Sequence, residues 1–190
     1  MLRARLVPPP DVFVTDPWAL EATRFSAKLA AEFVGQAETM FALSNGYLGI
    51  RGVHDEGAPV GEPGVYLNGF YKLRPLTYGE RAYGFPRFGQ SMLSLPDGTL
   101  MRLYVGGEPF RLDHAELLSF RRRLDMRAGV LERHIVWRTQ AGQRLALRTL
   151  RLVSFDDRHL AAIGWELSAE DGGATEITLC SELVLRPPLP

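Results

Sequence analysis

The chain has 190 residues with 22 acidic and 22 basic side chains, so its formal net charge at pH 7 is zero. Such a balance argues against nucleic acid or an anionic membrane as the main partner. The length suits one domain, which can bury roughly 70% of the surface that the unfolded chain exposes. The single cysteine, Cys180, excludes an internal disulfide and is expected to be a buried small hydrophobe. We find no signal peptide and no apolar stretch long enough to span a bilayer, so the expected compartment is the reducing cytoplasm.

The first part of the chain predicts little regular structure. Residues 1–17 form an irregular lead-in, because the triple proline at 8–10 forbids regular pairing. Asp16 and Pro17 suit the N-cap and the first position of a short helical turn. Residues 18–35 favour a helix by their alanines but lack a clean helical period, so their structure stays open.

From Glu38 onward, β-strand signals dominate. The segments 40–44 and 47–51 flank Asn45-Gly46, which is the strongest short signal for a hairpin. A second pair, Asn68-Gly69, predicts another hairpin between 65–67 and 70–71. The intervening residues 53–64 are rich in glycine, proline and acid and are predicted to form a surface loop.

The rest of the chain, from residue 73, is predicted to form a long aromatic loop followed by strands and turns. Residues 73–90 predict a long loop, and long loops of this kind are often functional. Strands are predicted over 100–105, 108–112, 130–139, 144–155, 160–167 and 175–185. Turn signals at this spacing are typical of an antiparallel β-sandwich. The alternation of apolar residues slips at Arg148-Thr149, which predicts a β-bulge.

Patterns that carry known chemistry are scarce. None of the four histidines, His54, His114, His134 and His159, pairs with another at metal-ligand spacing, so no metal site is expected. The sequence also lacks a P-loop, a nucleophile elbow and a dinucleotide fingerprint. Three closely spaced glycines at 46, 49 and 52 are interpreted as turn and sheet-packing residues rather than as a phosphate cradle.

The charged and aromatic groups each leave more than one interpretation. Asp55-Glu56 predicts either a solvated acidic loop, or a partner for Arg51, or a carboxylate pair for acid catalysis. Residues 121–123, three consecutive arginines, predict a solvated strand face or a patch for phosphate or an acidic partner. The aromatic rings of the predicted loop 73–90 are expected either to stack on sugar rings or to pack the loop onto a sheet or another domain. The candidate substrate-binding residues are Tyr83, Phe85 and Phe88.

Several motifs then occur in a recognisable order. They are Trp18, Glu21 and Phe25, followed by residues 38–52, Glu56-Gly57, 66–71, 78–80, 124–131 and 151–155. With these motifs the stretch from Trp18 to Leu167 resembles the N-terminal domain of glycoside hydrolase family 65. That family contains inverting phosphorylases of maltose, trehalose, kojibiose and related α-glucosides, and some hydrolases.

The resemblance implies a mainly β fold with little helix. Residues 18–185 would form a galactose-mutarotase-like β-sandwich, incomplete in this chain, and 186–190 a proline-rich end. In the family a helical linker and an (α/α)6 barrel follow, and we expect the barrel to be absent here. The motif residues are expected to be structural or to lie at a domain interface. They are Asn45, Gly46, Gly49, Arg51, Gly52, Glu56, Asn68 and Gly69.

The resemblance also places the chemistry outside this chain. A glutamate of the barrel would protonate the glycosidic oxygen, and inorganic phosphate, a co-substrate rather than a cofactor, would attack the anomeric carbon from the opposite face. No catalytic residue is therefore assigned to this sequence. The implied partners are the parent's barrel, its α-glucoside disaccharide and a second copy in a homodimer. A free-standing carbohydrate-binding module and a structural or interaction domain stay open as alternatives.

Overall fold

The computed structural model describes residues 13–80 and 82–185, and it is built mainly from antiparallel strands. The elements are β1 (Phe13–Asp16), β2 (Ala19–Ala22), α1 (Ala27–Met40), β3 (Leu43–Ser44), β4 (Leu48–Ile50), β5 (Val65–Pro75), β6 (Phe88–Ser94), β7 (Asp97–Val105), β8 (Glu108–Pro109), β9 (Glu116–Asp125), β10 (Val130–Arg138), β11 (Arg144–Val153), β12 (Ala161–Ala169) and β13 (Ile177–Val184). The predicted β-rich class is confirmed.

Three sheets form the two layers of an incomplete sandwich. The first is six-stranded with the order β1-β2-β9-β10-β11-β12, the second four-stranded with the order β3-β4-β5-β6, and the third three-stranded with the order β13-β7-β8. One face of the six-stranded sheet carries two buried apolar clusters. The first cluster joins this sheet to α1 and the four-stranded sheet, and the second joins it to the three-stranded sheet.

Strand β11 shows how the inner face is assigned. Its side chains alternate between buried and more exposed positions from Arg144 to Val153, and its pairing with β10 and β12 runs without a shift. The bulge predicted at Arg148-Thr149 is therefore wrong. The alternation of apolar residues along β11 looked broken because the inner positions 149 and 151 hold Thr149 and Arg151 instead of apolar residues. A shift in register does occur, between Val136 and Trp137 of β10 where it pairs with β9.

The helix lies later than the sequence suggested. Ser26 caps α1, and its side chain accepts a hydrogen bond of 3.2 Å from the backbone N–H of Leu29. The helix ends at Met40, so the strand expected from Glu38 begins only at Leu43. The side chain of Glu38, in the last turn of α1, is buried in the interior.

The N-terminal predictions are partly overturned. The helical turn expected at Asp16-Pro17 is instead the connection between the antiparallel strands β1 and β2. The predicted irregular lead-in is shorter by these four strand residues. Residues 1–12 and the proline-rich 186–190 lie outside the described part of the chain.

The two Asn-Gly pairs have different outcomes. Asn45-Gly46 joins β3 to β4 as predicted, although both strands are shorter than expected. Asn68-Gly69 does not turn the chain, because β5 continues through it, and the pairing of β5 with β6 shifts between Tyr66 and Tyr71. Gly69 has φ +94°, so here an Asn-Gly pair serves an irregularity within a strand.

Toward the C-terminus, the six predicted strands are confirmed within a few residues at each end, but β6 and β9 lie where no strand range was predicted. Cys180 on β13 is half-buried rather than fully buried. Among the described residues, no helix is long and apolar enough to cross a bilayer.

Candidate functional sites

The Asn45-Gly46 turn anchors its hairpin to two other parts of the chain. The Asn45 side-chain oxygen accepts hydrogen bonds from the backbone N–H groups of Tyr47 and Leu48, at 3.0 and 2.8 Å. Its side-chain nitrogen donates to the carbonyl of Ser154 at 2.6 Å, beyond β11. The Gly46 carbonyl accepts from the Asn68 side chain at 3.2 Å. These predicted motif residues therefore hold loops together.

Gly49 and Gly52 differ in what surrounds them. A Cβ on Gly49 would meet its nearest neighbour, the Ser44 Oγ, at an ordinary 3.7 Å. A Cβ on Gly52 would lie 2.6 Å from the carbonyl oxygen of Phe41, closer than real Cβ atoms come. Gly52 thus lets two backbone segments approach closely.

Arg51 and Glu38 form a partly buried pair beside this contact. The Arg51 guanidinium donates to the carbonyl of Gly35 at 3.1 Å and lies 3.6 Å from a carboxylate oxygen of Glu38. Glu38 also accepts 2.7 Å hydrogen bonds from the backbone N–H groups of Gly61 and Glu62. The partner of Arg51 is therefore Glu38, and the predicted pairing with Asp55-Glu56 is not observed.

A band of buried polar side chains separates the two apolar clusters. We call it the charged centre. It consists of His54, Asp55, Glu56, Arg122, Arg133, Thr149 and Arg151. The arginines come from β9, β10 and β11, and Arg122 lies directly opposite Arg133 across the strand pair. They are 4%, 2% and 3% exposed, respectively.

The acidic groups come from the segment after Gly52. Glu56 accepts one hydrogen bond of 2.9 Å from Arg133, and its second carboxylate oxygen forms an ion pair with another guanidinium nitrogen of Arg133 at 2.8 Å. Asp55 pairs with Arg151, accepts from the Thr149 hydroxyl at 2.9 Å and lies 3.1 Å from Arg133. The prediction of a solvated acidic loop is wrong at these two positions, because arginines of the six-stranded sheet compensate the carboxylates in the interior.

Electrostatics within the centre follow from burial and proximity. Burial would raise the pKa of Asp55, but the charges of Arg151 and Arg133 and the Thr149 hydrogen bond lower it to about 2. Burial opposes the charge of Arg133, yet Glu56 and Asp55 raise its pKa above the ordinary value. Burial, followed by the three arginine charges, holds the pKa of His54 well below its usual range. His54 is therefore neutral, and its Nδ1 lies 3.3 Å from a guanidinium nitrogen of Arg133.

This arrangement is unsuited to acid catalysis on a sugar. A general acid must be protonated near the working pH and must reach the substrate. Asp55 is ionised and Glu56 is held by Arg133, and both are almost completely buried. The charged centre is a structural ion network, and the carboxylate-pair interpretation of Asp55-Glu56 is not supported.

The three consecutive arginines divide between two environments. Arg121 and Arg123 both pair with Glu21 on the neighbouring strand, at 2.9 and 3.2 Å. Arg122 points inward and donates to the carbonyl of Gly52 at 2.8 Å, while its guanidinium lies 4.7 Å from the Phe41 ring centre. The solvated face is confirmed for the outer two and is wrong for Arg122. Strand alternation could have indicated this, because one of three consecutive strand residues must face the other side.

The second region of interest is a projecting hairpin. We call it the arm: residues 68–75 of β5, the described loop residues 76–80 and 82–87, and residues 88–92 of β6. Nearly all of its described side chains are exposed on both faces. The register places Lys72 and Arg74 on one face and Tyr71 and Leu73 on the other. An isolated two-stranded hairpin is marginal in water, so a bare apolar face of this kind is typical of a contact surface.

The loop of the arm contains the predicted sugar-binding aromatics. Tyr83 is fully exposed, and Phe85 and Phe88 are about half-exposed. Together with Tyr78 they line a surface cavity of about 560 Å³. The rings of Tyr78 and Phe85 lie 5.0 Å apart in a tilted arrangement. The structure therefore brings the three predicted residues into one neighbourhood, at a distance in the chain from the motif residues of 45–56.

Comparison with known proteins identifies the family. A family model described as glycosyl hydrolase family 65, N-terminal domain, matches residues 26–187. An uncharacterized glycosyl hydrolase of Mycobacterium tuberculosis is 43% identical over 180 residues, covering 95% of this chain and 22% of the relative. The α,α-trehalose phosphorylase of Thermoanaerobacter brockii is 36% identical over 160 residues, covering 82% of this chain and 20% of the relative.

A solved structure supports the same fold. A candidate kojibiose phosphorylase from the human microbiome superimposes with a TM-score of 0.70 at 23% identity, covering 87% of this chain and 21% of that chain. The chain thus spans about a fifth of the length of the relatives it matches. By its motifs, its fold and the family model, the chain belongs to glycosyl hydrolase family 65, as an N-terminal domain.

Proposed function

We propose that this chain is the non-catalytic sandwich domain of an enzyme that phosphorolyses or hydrolyses an α-glucoside disaccharide. The observation that carries the proposal is the match to the N-terminal-domain model of the family, together with similarity to about a fifth of relatives named as a phosphorylase and a glycosyl hydrolase. The role of the domain is to pack against the catalytic domain of the parent enzyme. The cytoplasmic location and the homodimer remain predictions from the sequence.

The arm is the surface that we assign to this packing. It presents apolar side chains that the rest of the described chain leaves uncovered: Phe70, Tyr71, Leu73, Phe88 and Met92 are 40–60% exposed. A contiguous exposed apolar surface favours burial against another protein surface. The exposed basic residues Lys72 and Arg74 on the opposite face would orient that contact toward acidic groups.

The first experiment tests the division of labour. The purified chain, incubated with maltose, trehalose or kojibiose and phosphate, is expected to release no β-glucose 1-phosphate. A chimera in which this chain replaces the matching N-terminal segment of the T. brockii phosphorylase is expected to recover trehalose phosphorolysis that the deleted enzyme lacks. Release of product by the chain alone at enzyme-like rates would refute the proposal.

The second experiment tests the arm. In the chimera, the double substitution Leu73→Ser and Phe88→Ser should lower phosphorolysis at least several-fold, because the apolar contact is lost. The matched control is Leu160→Ser with Phe155→Ser, which changes equally exposed residues outside the arm. Equal activities of the two double variants would show that the arm is not the contact.

A second candidate function is direct sugar binding by the loop of the arm. The exposed rings of Tyr83, Phe85 and Phe88 around one cavity favour it, since ring faces can cover the apolar face of a pyranose. Calorimetric titration of the chain with maltose and trehalose tests it. Binding that is lost in Tyr83→Ala and Phe85→Ala but kept in Phe155→Ala would support this function, and absence of binding to the unmodified chain would exclude it.

A further inference from the structure

The charged centre contains more positive than negative charge. Three buried guanidiniums, those of Arg122, Arg133 and Arg151, face two buried carboxylates, those of Asp55 and Glu56. His54 is neutral, and the nearby Glu38 and Arg51 compensate each other. Among the described residues, one positive charge of the charged centre is therefore left without a buried counter-charge, which is strongly unfavourable in an interior.

The excess charge lies at Arg122. Glu56 and Asp55 hold Arg133, and Asp55 also holds Arg151. Arg122 donates to the neutral carbonyls of Gly52 and Val53 and lies over the ring of Phe41, and the charges of Asp55 and Glu56 act on it without a direct ion pair among the described residues. Burial, together with the charges of Arg133 and Arg151, lowers its pKa to about 9, which still leaves it charged at neutral pH.

A small cavity lies between these guanidiniums. Its volume is about 10 Å³, and it is lined by His54, Asp55, Arg122, Leu131, Arg133, Thr149 and Arg151. Within the described residues, the buried Nε atoms of Arg133 and Arg151 have no hydrogen-bond acceptor. Both oxygens of Asp55 are engaged, one by Arg151 and the other by Thr149 and Arg133. The residues that line the cavity therefore include two arginines with unused N–H donors and Arg122 with its unmatched positive charge.

We propose that this cavity is a binding site for one monovalent anion of halide size, held among the guanidiniums of Arg122, Arg133 and Arg151. A halide accepts several N–H hydrogen bonds at once and supplies the one negative charge that the centre lacks. A water molecule could accept from the same donors but would leave the charge unbalanced. His54 and Arg122 also border a cleft of about 50 Å³ under α1.

The test compares chloride with an anion too large for the cavity. The melting temperature of the chain is measured in sodium chloride and sodium gluconate mixtures at constant ionic strength, so that screening of surface charges stays fixed. Chloride should raise the melting temperature along a saturating curve, by about 3–6 °C at ten times the dissociation constant. Equal melting temperatures in the two salts would overturn the proposal.

Two adjacent arginines provide matched variants. Arg122→Met removes the excess charge and should abolish the difference between chloride and gluconate. Arg121→Met, on the same strand but exposed and paired with Glu21, should keep it. A chloride effect of the same size in both variants would assign it to the surface and overturn the site.

Bromide can be located directly in crystals, which does not require Arg122→Met to fold. Crystals of the unmodified chain soaked in sodium bromide should show an anomalous peak between the three guanidiniums. A peak of ordinary solvent density without anomalous signal there would identify the occupant as water and refute the anion site. The outcome is independent of the proposed function, because it requires neither a catalytic domain nor a sugar.

Discussion

Substituting Asp55 by asparagine tests the charged centre most sharply. The carboxylate pairs with Arg151, accepts from Thr149 and lies 3.1 Å from Arg133, and the residue is 6% exposed. Asparagine keeps the shape and removes the charge, so the interior would hold three guanidiniums against one carboxylate. Removing one partner of a buried ion pair destabilises a protein by about 3–5 kcal/mol. That is a large part of the roughly 5–15 kcal/mol by which a domain is stable.

The assay is urea unfolding followed by circular dichroism and tryptophan fluorescence at pH 7. The midpoint of Asp55→Asn should fall strongly while the slope with urea stays the same, because the surface exposed on unfolding does not change. Thr149→Val, which removes one hydrogen bond to the same carboxylate, should cost about 1–2 kcal/mol. The control Glu170→Gln removes a partner of Arg144 at the surface and should change stability by less than about 1 kcal/mol. A loss below about 1 kcal/mol for Asp55→Asn would refute the reasoning.

Three further predictions concern pH, backbone packing and the arm. As pH falls below about 6.5, the unfolded chain takes up a proton at His54 that the folded chain does not, and below about 4 the same holds for Asp55 down to its folded pKa of about 2. Stability should therefore decline in two stages between pH 7 and pH 2, with Asp55 contributing about 2 kcal/mol, and a flat profile of melting temperature would contradict this. Gly52→Ala should destabilise by about 1–3 kcal/mol in urea unfolding, whereas Gly49→Ala should stay within about 0.5 kcal/mol, and equal effects would show that the Phe41 contact is not tight. Leu73→Ser with Phe88→Ser should leave the stability of the isolated chain almost unchanged but reduce its self-association in sedimentation velocity. Unchanged self-association would show that the apolar face of the arm does not mediate it.

Local sequence predicted the structure correctly where the conformation depends on neighbouring residues alone. The Asn45-Gly46 turn was predicted because glycine readily adopts a positive φ, and Gly46 has φ +86°. The same dipeptide at 68–69 misled, since Asn68 is held by the backbone of the first hairpin and β5 runs on through it. An Asn-Gly pair indicates which backbone conformations are allowed, whereas pairing between strands distant in sequence determines which of them is adopted.

The charged centre could not have been predicted from periodicity. On β11, Thr149 and Arg151 stand at inner positions, and the sequence argument explained them as a slip in register. What makes these positions tolerable is Asp55, 94 residues from Thr149 along the chain. Alternation would have assigned the inner face correctly, had buried arginine been allowed as an outcome.

The amino-acid sequence by itself determined six of the strands after residue 96, the first hairpin and, through its motifs, the family. These depend on short-range alternation, on turn stereochemistry and on the order of motifs, all of which can be read along the chain. The tertiary structure alone decided that Asp55 and Glu56 are buried, that Arg122 is compatible with the interior and that the arm stands exposed. The physical reason is that the burial of a charge depends on its partner. Here the partners are brought together only when the segment after Gly52 passes between the two layers and meets the arginines of three neighbouring strands.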